Sequence, residues 1–236
     1  MEDLRELKQR FMSLISHELL SPLASMRGYV ELVLRTGQDN LTAKQKEHLQ
    51  ISLHNVDRLK DFIDGVLDMT RLHADLFEFE WSEVDVEQVF QQSVAAQKDF
   101  LAAKRASIFI KKRGVDAGKV RGDSKRLLRA FGVLLAHALD HTPEGQDILV
   151  ELGRETPKGK ILCSITERGA ELSGEETSRL FEEFEATPGP VSYRRFRPHG
   201  LNLAVARKIV EKHGGKIWAE RLNSSELNGI VIKFLL

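Results

Sequence analysis

The residues with the clearest chemical potential are an adjacent pair, His17-Glu18, followed by Ser21 and Pro22. A neutral imidazole is a good nucleophile near pH 7, and a neighbouring carboxylate can hold the far ring N–H as positive charge develops. Ser21 follows His17 by one helical turn and adds a hydroxyl on the same face. A second set is His137, Asp140 and His141, spaced i, i+3, i+4, a pattern that places three potential ligands on one helix face and permits a transition-metal site. No further ligand is visible in sequence, so a polar pocket lining with no metal is expected there. The one cysteine, Cys163, sits in an apolar run and reads as a core residue rather than a nucleophile.

The elements that must carry these groups follow from periodicity. Leu4, Leu7, Phe11, Ile15, Leu19, Leu23, Met26, Val30 and Val33 step by three or four, the stripe of an amphipathic helix. His17 is two residues from Ile15 and Leu19, roughly 200° around the helix from each. It therefore points to water. The turn formers at 36–40 end this helix. Thr42-Ala43-Lys44-Gln45 then has capping-box spacing and starts a second helix to about His73, striped by Leu49, Leu53, Val56, Leu59, Ile63, Val66 and Leu67. A short turn forces the two helices into an antiparallel hairpin, and the apolar surface left over predicts a homodimer with a four-helix bundle.

Downstream the pattern changes. Residues 77–81 alternate like a strand at a domain boundary, 86–105 read as one helix and 107–112 as a strand. A helix from about Ser124 to His141 follows Gly122-Asp123, then strands at 148–152 and 161–166 and a short helix at 175–184. A basic, proline-bearing loop occupies 187–200, and a helix from Leu201 to His213 stops at Gly214-Gly215 before strands at 216–220 and 230–236. The expected class is α+β: a helical hairpin over 1–75, then an α/β sandwich over 76–236 with helices on one face of a mixed sheet.

A formal net charge of zero argues against broad nucleic-acid or acidic-membrane binding. No apolar run reaches the ~20 residues of a membrane span, the N-terminus is too polar for a signal peptide, and a lone cysteine suits a reducing cytoplasm. The first residues are already helical in pattern, as in a piece of a longer protein.

Ser16-His17-Glu18-Leu19-Leu20-Ser21-Pro22-Leu23 resembles the phosphoacceptor box of two-component sensor histidine kinases. The resemblance runs on through 122–127, the lead-in to that family's asparagine box, and through Leu180-Phe181-Glu182-Glu183-Phe184, which is similar to its phenylalanine box. It ends with Gly200-Leu201-Asn202-Leu203 and the helix after it, which look like the last glycine box. The resemblance implies ATP and magnesium as cofactors, transfer of the γ-phosphoryl group to His17, and onward transfer to an aspartate on a response-regulator receiver domain. Leu20 stands where the family prefers Arg or Lys, and Ser21 where it usually has Thr or Asn.

The nucleotide motifs depart further. Where the family places a metal-anchoring asparagine this chain has His137, with Val133 at a second asparagine position and Asp140 at a usual Lys or Arg. Imidazole is a poor magnesium ligand. The Asp-x-Gly-x-Gly motif reads Glu167-Arg168-Gly169-Ala170-Glu171, which keeps a carboxylate and one glycine but puts an anion where a triphosphate would approach. The phosphate loop reads Pro198-His199-Gly200-Leu201-Asn202-Leu203, with one glycine of three and a proline that has no N–H; Arg194, Arg195 and Arg197 precede it as a solvated basic loop. The expectation is an impaired ATP site beside a surviving acceptor, that is, a phosphotransfer protein or docking scaffold served by a receiver domain or a partner histidine kinase. An active autokinase using Glu167, Gly169 and Gly200, and a pseudokinase with a different pocket ligand, are the rival readings.

Overall fold

The computed structural model describes residues 2–37, 40–74, 76–113, 118–155, 159–169, 172–183, 199–222 and 229–236. It divides into two units, Met1–Phe77 and Glu78–Leu236. The first is a hairpin of α1 (Glu2–Thr36) and α2 (Ala43–His73). The Thr42 hydroxyl accepts from the Gln45 backbone N–H while the Gln45 side chain accepts from the Thr42 N–H, so the capping box forms as spaced. Arg27 Nε and Asp57 Oδ1 bridge the helices at 2.7 Å. Of the α1 stripe, Leu23 is buried, whereas Leu19, Met26 and Val33 are exposed; on α2, Ile51, Leu59 and Val66 are exposed too. The side chains of Leu4, Leu7 and Phe11 lie outside the described residues.

The second unit runs β1 (Ser82–Asp85), α3 (Val86–Ala96), α4 (Lys98–Lys104), β2 (Ile108–Arg113), β3 (Lys119–Gly122), α5 (Ser124–His141), β4 (Ile148–Glu155), β5 (Lys160–Arg168), α6 (Gly174–Arg179), α7 (His199–Lys212), β6 (Lys216–Arg221) and β7 (Gly229–Leu235). Among the described residues, five strands form a sheet ordered β2-β4-β5-β7-β6, parallel only between β2 and β4, and β1 pairs antiparallel with β3 as a separate ribbon. Alternation on the sheet is regular. Ile161, Cys163, Ile165 and Glu167 of β5 are buried on one face, as are Ile230, Ile232 and Phe234 of β7, while Val231, Lys233 and Leu235 stay partly open. Helices cover the buried face: Phe90 of α3 stacks on Phe131 of α5 at 4.2 Å between ring centroids, and Phe131 meets Phe234 at 5.3 Å.

Several sequence expectations shift. Residues 77–81 are not a strand. The Glu80 N–H is taken by the Asp123 carboxylate at 2.8 Å, and the Phe79 and Trp81 rings stack on each other and meet His213, Phe79 edge-on and Trp81 at a tilt. The helix expected over 86–105 breaks at Gln97 and ends at Arg105, which adopts φ 51°. Strand β3 carries no apolar alternation long enough to announce it, and it exists because β1 pairs with it. The short helix expected to reach Phe184 stops at Arg179, and α7 starts at His199, so Gly200 lies in its first turn rather than in the loop, while Asn202 is on the helix as expected.

Helix α5 is fixed at both ends. Asp123 caps its start, accepting from the Arg126 N–H at 3.1 Å. Burial alone would raise the Asp123 carboxyl, but the bonds from the Glu80 and Arg126 N–H groups hold it below the usual range. At the other end the Lys104 ammonium donates to the carbonyls of Leu139, of Asp140 at 3.1 Å and of Thr142 at 2.9 Å, a cation on a helix C-terminus. Lys104→Met keeps the packing of the stem and removes those bonds; urea titration is expected to show a loss of about 2 kcal/mol. A second prediction concerns His213. Its Nε2 accepts from the Asp123 N–H at 3.0 Å, so this nitrogen carries no proton, and Nδ1–H donates to the Ile209 carbonyl at 2.7 Å. Burial holds the ring below the ordinary histidine value, against the raising effects of the Ile209 bond and the Asp123 charge. The fold thus favours the neutral ring. Its contribution is complete above the free-histidine value of about 6.5 and is lost as pH falls through the lowered native value. Thermal midpoints are expected to fall between pH 7.5 and pH 5.5 (about the range a histidine titrates), with a flatter dependence in His213→Gln.

Candidate functional site

The two units each present a candidate site. On α1, His17 has 79% of its side chain exposed and Glu18 71%. Glu18 Oε1 lies 3.6 Å from His17 Nδ1, in ion-pair range but beyond a hydrogen bond, so the carboxylate flanks Nδ1 and leaves Nε2 as the outward nitrogen. Ser21 is exposed one turn on, next to Pro22, which α1 accommodates without ending. Ser16, on the other side of His17, accepts from Arg71 of α2 at 3.1 Å, which ties the helical segment before the histidine to its neighbour. An exposed imidazole with a carboxylate on one nitrogen and open approach to the other can take an electrophile delivered by a large partner.

In the second unit α5 and β5 bring together residues that are far apart in sequence. His137 and His141 project from the C-terminal half of α5, one turn apart, with ring centroids separated by 4.3 Å. Glu167 comes from the end of β5, on the face it shares with Ile161, Cys163 and Ile165. Its Oε1 lies 3.7 Å from His137 Nε2, and the two side chains are 0% and 3% exposed. Neither oxygen of Glu167 has a hydrogen-bond partner among the described residues. Burial, then the charge of Asp140, pushes this carboxyl well above its ordinary range. His141 Nδ1–H donates to the His137 carbonyl at 2.9 Å, which directs the ring's lone pair to Nε2. One ligand-capable atom from each of His137, His141 and Glu167 falls within 4.8 Å of the others, all three residues being buried.

The remaining expected site residues are placed differently. Asp140 is half-buried and acts on Glu167 through its charge. The ligand-capable groups that come together among the described residues are therefore His137, His141 and Glu167, whereas spacing alone permits a His137, Asp140 and His141 face and predicts a polar lining with no metal. The signal that could have added Glu167 was period-two alternation, which puts it in line with Ile165 toward α5. Gly169 has φ +107°, and a Cβ there would lie 2.9 Å from the His141 carbonyl and 2.8 Å from Pro143 Cδ. The close approach of β5 to the end of α5 thus requires glycine whether or not a phosphate is near. Asn202 is half-buried on α7 and accepts from Arg129 of α5 at 3.4 Å, so its side chain is engaged within the fold. Gly200 is part of the first turn of α7. Ala170, Glu171, Phe184, Arg194, Arg195, Arg197 and Pro198 lie outside the described residues. No helix among the described residues is long and apolar enough to cross a membrane.

Residues 7–75 match the His Kinase A (phospho-acceptor) domain, and residues 122–236 match the histidine kinase-, DNA gyrase B- and HSP90-like ATPase family. The sensor-like histidine kinase SenX3 of Mycolicibacterium smegmatis is 26% identical over 215 residues, covering 90% of this chain and 54% of that protein. The chain thus spans about half the length of that relative. Among solved structures, full-length ShkA in complex with AMPPNP superposes with a TM-score of 0.68 at 22% identity, over 96% of this chain and 45% of that one. Histidine kinase ThkA in complex with response regulator protein TrrA gives 0.63 at 18% identity, over 100% of this chain and 64% of that one. With a phospho-acceptor match over the hairpin and an ATPase-family match over the sandwich that follows it in sequence, the chain belongs to the sensor histidine kinases of two-component signalling.

Proposed function

We propose that this chain is a dimeric, cytoplasmic phosphotransfer core in which His17 carries the phosphoryl group and the ATP site is impaired. The observation that carries the reading is a contrast in exposure: His17 is open to a protein-sized partner, while Glu167, at the position of the family's adenine-reading carboxylate, is fully buried beside His137. Mg-ATP needs oxygen ligands for the metal and an accessible carboxylate for the base. An imidazole occupies the first position, the second points into protein, and Asp140 adds a negative charge close by. The residues present do not fit the nucleotide.

In the transfer, His17 Nε2 attacks phosphorus as the P–O bond to the donor's leaving oxygen breaks. The donor is a receiver-domain aspartyl phosphate or a partner histidine kinase charged with its own ATP. The proton on Nδ1 stays on the ring and faces Glu18, which offsets the imidazolium charge until the P–N bond is cleaved by an aspartate carboxylate of a response-regulator receiver domain. That ThkA is solved with a response regulator supports this class of partner. The exposed Leu19, Met26, Val33, Leu59 and Val66 on the hairpin support a second copy as their cover, since an unpaired apolar stripe of this length favours association.

A second reading, ATP-dependent autophosphorylation, is favoured by the ATPase-family match over 122–236 and by the AMPPNP complex of ShkA. Phosphoramidate and Mg-ATP separate the two. Phosphoramidate is expected to give a phosphohistidine signal in phosphorus NMR with wild type and none with His17→Ala, and the loaded protein to pass label to a receiver domain. Calorimetry with Mg-ATP is expected to show no binding tighter than about 1 mM; micromolar affinity with label reaching His17 would establish the second reading instead. For the dimer, sedimentation is expected to give two copies for wild type and one for the Met26→Lys, Leu59→Lys double variant.

A further inference from the structure

We propose that His137, His141 and Glu167 form a buried binding site for a divalent transition metal of the zinc class. Two imidazoles and one carboxylate are the donor set of an N/O zinc site, and this set disfavours magnesium, which demands an oxygen shell. The residues come from two rigid elements. His137 and His141 share a face of α5, one turn apart, and Glu167 faces them from the end of β5.

Distances are near those around a bound tetrahedral ion with three protein ligands. Ligand atoms about 2.0–2.1 Å from a tetrahedral ion are about 3.3 Å from one another. His137 Nε2 and Glu167 Oε1 are 3.7 Å apart, and the three ligand atoms lie within 4.8 Å. Side-chain shifts of about 1 Å would bring all three to bonding distance. The second shell is in place for one ligand, because His141 Nδ1–H already donates to the His137 carbonyl and Nε2 is the nitrogen with a lone pair.

Charge and solvation argue the same way. Both Glu167 oxygens are buried with no hydrogen-bond partner among the described residues, an arrangement that is costly for a carboxylate and natural for a metal ligand. A dication held by two neutral imidazoles and one carboxylate carries one net positive charge. Asp140, near enough to act on Glu167, balances it.

The test uses the full chain, stripped with chelator and dialysed against Zn2+ in the presence of excess Mg2+. Metal analysis is expected to find one zinc per chain, and the thermal midpoint to rise on loading. Glu167→Gln and His141→Gln are expected to weaken binding at least tenfold and to lose the rise. The exposed-histidine control His48→Ala, His54→Ala should bind as wild type does. Co2+ in wild type should show the intense visible bands of a tetrahedral N/O site. Absence of retained zinc overturns the proposal, as does zinc binding that survives in both folded pocket variants. If a variant fails to fold, the wild-type cobalt spectrum decides: an octahedral or absent signal overturns it. Phosphoramidate loading of His17 is read separately, so loss of the metal site and loss of phosphotransfer are distinguishable.

Discussion

The sandwich depends on the seating of α5 against the buried face of the sheet. Phe131 locks into Phe90 and Phe234, and Leu127, Leu134, Leu135 and Leu139 are fully buried along the same helix. Burial of this kind fixes rotation about the helix axis to within a side chain, because each of these groups contributes roughly 1.5–3 kcal/mol only when it faces inward. The end groups then fix translation. Asp123 and His213 hold the first turn, and the Lys104 ammonium holds the last. With both degrees of freedom removed, the positions of His137 and His141 relative to β5 are consequences rather than additional choices.

The same seating explains why a carboxylate survives on the core face of β5. Ile161, Cys163 and Ile165 continue the apolar row, and Glu167 ends it where the sheet passes the C-terminal turn of α5. Gly169 immediately follows with φ +107° and no room for a Cβ against the His141 carbonyl. Strand and helix therefore converge on a small volume where buried polar groups face one another.

Much of this was legible in the residues. The Thr42–Gln45 capping box, the bounds of α5 and the outward placement of His17 all follow from spacing, because each rests on contacts within a few residues. What spacing could not supply were features set by distant partners. Phe79 and Trp81 alternate like a strand, yet His213, more than a hundred positions away, captures their rings. Strand β3 has no pattern of its own and is defined by pairing with β1. His137, Asp140 and His141 looked like the natural set on one helix face. The structure replaces Asp140 with Glu167, because a helix wheel describes one element and the site is built from two.

The histidines of the two units show how environment assigns chemistry to one side chain. His17 has water on most of its surface and a carboxylate beside one nitrogen, so its reactive nitrogen is accessible to an electrophile as large as a phosphorylated protein domain. His137 and His141 are buried on α5, facing β5, where a charge would be costly to hold without a partner. A histidine that exchanges a group with a protein-sized partner has to be exposed, as His17 is. A buried imidazole pair facing an unsolvated carboxylate is suited to something small, cationic and free of its own hydrogen-bond demands. His137 and Glu167, drawn from a helix and a strand, thus meet in one buried volume with His141, a donor set of the kind that suits an ion.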